Sequence, residues 1–213
     1  MKTGDIILFK GNGAFSALIT ALPGADYSHV GMYVNHPEFG ACMFESTSLG
    51  TLPDLITGEP IRGVQLVPFQ ERVDSYDGEV FHRPIIGTRT AATWRVVLDF
   101  IDEFHGTPYE EDNLQLVRAE LDLFPWQKNE PDPSSLFCSE TVIKCLRAAC
   151  FIKDDGESPN EFTPTDCATD AITLRQNASD DGFFFGDIKA LKLEPKPAPK
   201  TEIEKAMDYG NTP

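Results

Sequence analysis

Basic residues are scarce in this chain: 18 Lys and Arg stand against 34 Asp and Glu, for a formal net charge of −16. A surface of that sign repels phosphate backbones and anionic bilayers. No local cluster of Lys and Arg offsets it, so nucleic-acid binding is not expected. Long apolar runs are also missing. No segment approaches the ~18 consecutive apolar residues of a spanning helix, which argues against a transmembrane segment. The opening MKTGDIILF is too short an apolar run for a secretory signal, and a cytoplasmic location is the expectation. Five Cys form an odd set without the dense spacing of a disulfide scaffold. None lies in a Cys-x-x-Cys pair, and four scattered His add no metal-ligand pattern. Reduced thiols, no metal and no cofactor are therefore expected.

The 213 residues suffice for one domain with a real core. Strand signals come early: GDIILFKGNG at 4–13, DYSHVGMYV at 26–34, ACMFES at 41–46, then VQLVPF and EVFHRPI. AFSALITAL, between the first two, reads as a short helix. Trp94, Val97, Leu98, Ile101 and Phe104 recur at helical spacing, while Asp99, Asp102 and Glu103 fall on the opposite side. A further helix is expected over 114–123. SLFCSETVIKCLRAAC starts another, with Val142, Cys145, Leu146 and Ala149 as its buried stripe. FTPTDCATDAITLRQ suggests a late helix capped by Thr163 or Thr165. From residue 194 Pro and Lys alternate, as in an extended arm. The expected architecture is α+β, a small antiparallel sheet packed against helices, with a domain over 1–193 and a tail over 194–213.

Three residues carry a chemical argument. If Ser135 caps its helix, Cys138 is the third helical residue, where free N–H groups and the positive end of the dipole favour a thiolate. Taken alone, a free cysteine is most commonly a small packing hydrophobe, as Cys145 and Cys150 are read further along the apolar side. His29 sits on a strand whose apolar residues Val30, Met32 and Val34 point the other way. Alone it reads as a structural histidine. A hairpin around NHPEFG must place Val30, Met32 and Val34 on one face with Cys42 and Phe44. With Val34 near Gly40, His29 then falls opposite Glu45. That pair is either a held catalytic imidazole or a simple cross-strand ion pair. Asp5 is read as shaping the turn into the first strand.

GDIILF, SHVGMYV, FESTSLG, GTPYEED, LFCSETV and FTPTD, in this order, resemble the circularly permuted branch of the NlpC/p60 papain-like superfamily. The likeness is to its YiiX-like members, with an outline similarity to lecithin retinol acyltransferase. In that branch the histidine strand precedes the cysteine helix, as here. The resemblance implies a papain-like fold and a thiol hydrolase with Cys138 as nucleophile, His29 as base and acid, and Glu45 as third member. It also implies Tyr109 beside the substrate. Substrates would be peptide amides, as in cell-wall peptides, with lipid acyl transfer or hydrolysis as the alternative. A third alternative is a non-catalytic interaction protein whose Pro-Lys tail docks on a protein partner. A phage or viral origin, with the protein associated with the virion, would reconcile cell-wall cleavage with the lack of a signal.

Overall fold

The computed structural model describes residues 1–11, 26–109, 137–154, 156–169, 171–172 and 182–192. The expected helices at AFSALITAL and 114–123, the Ser135 cap and the tail from 194 lie outside them.

Eight strands are described: β1 (Ile6–Gly11), β2 (His29–His36), β3 (Gly40–Thr47), β4 (Gly63–Pro68), β5 (Gly78–Arg83), β6 (Ile85–Ile86), β7 (Phe184–Phe185) and β8 (Lys189–Lys192). Six form one sheet in the order β4-β3-β2-β1-β5-β8, and β6 and β7 pair separately. Every neighbouring pair runs antiparallel. Three helices accompany them: α1 (Phe69–Ser75), α2 (Ala91–Phe104) and α3 (Cys138–Ala148).

The alternation along each strand sorts side chains onto two faces. Ile6, Leu8, Val30, Met32, Val34, Cys42, Phe44, Val64 and Leu66 pack with Val97, Phe100 and Ile101 of α2 and Val142, Ile143, Cys145 and Leu146 of α3. This is the main core, and it contains the expected stripe of α3. On α2, Thr90 caps the start by accepting from the Thr93 N–H at 3.1 Å, and Asp99, Asp102 and Glu103 are exposed.

The opposite face, which carries His29, Gly31 and Tyr33 of β2, is covered as well. Ile7, Phe9, Tyr33, Met43, Val67 and Val80 form a second core there, covered by Phe69 and Val73 of α1. A sheet covered on both faces explains why IILF is apolar without alternation. It also means that polar groups on the His29 face are buried.

Two expectations about helices are corrected. FTPTD does not open a helix in the described residues but a 3₁₀ turn at Asp166–Ala168. Thr163 and Asp166 bond reciprocally, Thr163 N–H to Asp166 Oδ2 at 2.8 Å and Asp166 N–H to Thr163 Oγ1 at 3.2 Å, as in a capping box. Thr165 instead accepts from the N–H groups of Asp26 and Tyr27, tying this turn to the entry of β2. Cys150 does not pack: it is exposed, with φ 59°, where the chain leaves α3.

Candidate active site

The β2–β3 hairpin sets the first contact. Met32 pairs with Phe44, Val34 with Cys42 and His36 with Gly40. The register is thus two residues away from one with Val34 beside Gly40, and it brings Gly31, not His29, level with Glu45. A two-residue slip keeps every side chain on its face. His29 reaches Glu45 diagonally, Nε2 to Oε2, at 2.6 Å. Gly31 makes room for this: a Cβ there would lie 2.8 Å from Met43 Sδ and 3.3 Å from Glu45 Cβ.

Glu45 is fully buried and is no surface ion pair. Its Oε1 accepts from Arg72 Nε at 2.6 Å and from Gln65 Nε2 at 2.8 Å. Arg72 comes from α1 and Gln65 from β4, where it pairs directly with Glu45. Burial alone would raise the Glu45 pKa, but the Arg72 guanidinium and then His29 hold it far below the usual carboxylate range. The arginine lies between two rings, 4.7 Å from the Phe9 centroid and 5.2 Å from that of Tyr76. Phe9 also lies against the His29 ring, at 5.1 Å.

Cys138 is the second side chain that acts on His29. Its side chain is a hydrogen-bond partner of the same ring whose Nε2 Glu45 engages. Burial by itself would lower the His29 pKa, but the Glu45 charge and then Cys138 carry it up to about 9. Glu45 belongs to the α1 face and Cys138 to the α2–α3 face, so the three residues meet around the end of β2.

Cys138 is the first residue of α3, not the third. Phe137 takes the N-cap position without a side-chain cap bond, and its carbonyl accepts the Thr141 N–H at 3.0 Å and the Thr141 hydroxyl at 2.8 Å. The earliest N–H groups of a helix have no intrahelical acceptor, so the sulfur stands among donors. Burial pushes Cys42 up to about 11 and raises Cys145 and Cys167 still further.

Tyr109 lies edge-on to Phe137 with ring centroids 6.1 Å apart, one residue from Cys138. Its segment is anchored on β4: Val64 N–H donates to Thr107 O at 2.8 Å, and Gly106 N–H to Val64 O at 2.9 Å. Gly63 permits that approach, since a Cβ there would meet Thr107 O at 2.1 Å and its φ is +138°.

Arg72 and Gln65, both bonded to Glu45, were not anticipated from the sequence. Gln65 had a signal, being the one polar residue in VQLVPF and on the face opposite Val64 and Leu66. Arg72 had none, because its reach depends on how α1 docks.

No protein-family model matches the sequence, and no curated protein matches it. A structural match exists to the crystal structure of the metalloprotein YiiX from Escherichia coli O157:H7. It covers 91% of this chain and 97% of that one, with a TM-score of 0.50 and 17% identity. The fold is YiiX-like. Among the described residues no group of three or more His, Cys, Asp or Glu side chains is placed to hold a metal ion. The buried carboxylates of Glu45, Asp5 and Asp54 are already taken by N–H and cationic donors. No described helix is long and apolar enough to cross a membrane.

Proposed function

We propose that the protein is a cysteine-dependent hydrolase of the permuted papain-like type, acting on amide bonds of peptides through Cys138, His29 and Glu45. The observation that carries this reading is the His29 ring with its Nε2 on a buried, charged carboxylate and with Cys138, at the start of a helix, as a further hydrogen-bond partner. An imidazolium beside a thiol favours the thiolate.

In the reaction, the Cys138 thiolate attacks the scissile carbonyl carbon and the carbonyl π electrons move to oxygen. N–H groups at the start of α3 stabilise that oxyanion. The tetrahedral intermediate collapses as the C–N bond breaks, and His29 gives its proton to the departing amine. A thioester remains. His29, now neutral, takes a proton from water as the water oxygen attacks the thioester, and collapse releases the acid and the Cys138 thiolate with His29 again charged. Glu45 orients the ring and offsets its charge; it transfers no proton. Tyr109 would border the acyl side of the pocket through its contact with Phe137.

Incubation with cell-wall peptide fragments and, separately, with phospholipid vesicles tests the reading. Release of free amines, lost in Cys138→Ala, supports the amidase. Release of fatty acid that depends on Cys138 would move the assignment to lipid acyl hydrolysis. Neither release, with no thioester on Cys138 by intact mass after acid quench, would overturn the catalytic reading.

A further inference from the structure

Two of the donors on Glu45 lie outside the proposed triad, and they differ in kind from the third. His29 must lose its proton during the reaction, and at that moment Glu45 would face a neutral ring. A buried carboxylate without a cation takes up a proton. Arg72 supplies a second cation beside the carboxylate. It bonds Oε1 through Nε at 2.6 Å while His29 bonds Oε2 at 2.6 Å, so the two cations use separate oxygens. The guanidinium is itself fixed, buried between Phe9 and Tyr76.

Gln65 points the same way. Its Nε2 donates to Glu45 Oε1, while its own Oε1 is buried with no hydrogen-bond partner among the described residues. The amide is oriented for the carboxylate at the cost of its own acceptor. Among the described residues, His29 from β2, Gln65 from β4 and Arg72 from α1 face Glu45, Cys138 from α3 and Phe9 from β1 face His29, and Cys167 interacts with Cys138. Tyr76 faces Arg72 and shares a hydrogen bond with Ser28 at 3.4 Å.

We propose that Arg72 is a positioning residue for the His29–Cys138 pair: it keeps Glu45 an anion with Oε2 free for the imidazole, so that His29 keeps its proton and a single orientation. The inference rests on the hydrolase reading, since it gives Arg72 its purpose.

The test is the rate of Cys138 alkylation by iodoacetamide against pH, read by mass spectrometry on the full chain. Arg72→Met keeps an unbranched side chain between Phe9 and Tyr76 but removes the charge. We expect alkylation at pH 7 to fall about tenfold, with the rate recovering at pH 10, because a shift of one unit in the profile is a factor of ten below its midpoint. Arg72→Lys should restore most of the loss. In a Glu45→Gln background Arg72→Met should cause no further slowing. If Arg72→Met does not give a cooperative melt, Arg72→Gln, which keeps an N–H toward Glu45 without charge, carries the same comparison. A folded charge-removing variant whose profile superimposes on wild type overturns the proposal. His29→Ala separates the two ideas. If it slows Cys138 while the charge-removing variant does not, only the role of Arg72 fails; if it leaves Cys138 unchanged, the hydrolase reading fails as well.

Discussion

Among the described residues a carboxylate–histidine–arginine cluster occurs twice, and the contrast between the two separates a structural hub from the candidate site. Asp5 accepts from His82 Nε2 at 2.8 Å and from Arg89 at 2.9 Å, much as Glu45 accepts from His29 and Arg72. Asp5, however, also takes the backbone N–H groups of Lys2 and Ile85, at 2.9 and 3.1 Å, and Arg89 donates to Thr3 O at 2.9 Å. It ties the chain start to β5 and β6. Glu45 has only side-chain donors in its recorded bonds, and its histidine meets a thiol. Neither His82 nor His105, which bonds Asp54 Oδ1 at 2.9 Å, has a cysteine among its recorded partners in the described residues. The same ion pair is architecture when it binds backbone and, in the proposed hydrolase, machinery when it holds a ring against a thiol.

The comparison breaks most visibly by deleting each carboxylate. Glu45→Ala leaves Arg72 buried without its counter-charge and should cost about 3–5 kcal/mol in urea unfolding, together with the fast alkylation of Cys138. Asp5→Asn keeps shape but loses charge-assisted bonds. It should cost about 1–3 kcal/mol and leave Cys138 reactivity at the wild-type level. Loss of reactivity in both variants would erase the distinction.

The pH dependence of stability sharpens it. His29 rises from an ordinary 6.5 to about 9 in the fold, so its contribution is full below pH 6.5 and drains away as pH climbs through 9. Wild type should lose on the order of 3 kcal/mol over that range relative to His29→Gln, measured by urea midpoints. Asp5 works in the other direction. Burial would raise its pKa, but the bond to His82, the Lys2 and Ile85 N–H groups and Arg89 hold it below 3.8. Its contribution is present above that pH and disappears as acid protonates it. Parallel wild-type and His29→Gln curves between pH 6.5 and 9 would refute the charged-imidazole account.

The smallest effect is at Gly31. Alanine there crowds Met43 Sδ, the flexible end of a side chain, and Glu45 Cβ. It should cost about 1 kcal/mol by thermal unfolding while slowing Cys138 alkylation only slightly. A large kinetic loss would mean that the His29–Glu45 diagonal has no slack.

Much of this was legible in the sequence, for identifiable reasons. The face of His29 and Glu45 followed from Val30, Met32 and Val34 needing to join Cys42 and Phe44, and face is a parity, so a register wrong by two still put the two side chains on one face within reach. Helix α2 was readable because its stripe repeats over four turns. The start of α3 was not, since Phe137 caps it with no cap-forming side chain and Ser135 offered a better local signal. The burial of the His29 face was also hidden. It comes from Ile7, Phe9, Val67 and Val80 on other strands and from Phe69 and Val73 on a seven-residue helix, none of which marks β2 itself. Arg72 shares that origin: its partner lies 27 residues earlier, and only the docking of α1 joins them.

The most direct test of the central claim is site-resolved alkylation of all five cysteines by iodoacetamide at pH 6, in wild type and in His29→Ala. The account predicts that Cys138, although buried, reacts fastest in wild type, ahead of the exposed Cys150, and slows about a hundredfold without His29. If Cys138 instead reacts as slowly as Cys145 and Cys167 in both proteins, the imidazole does not activate the thiol, and the cluster around Glu45 is a second structural hub like the one around Asp5.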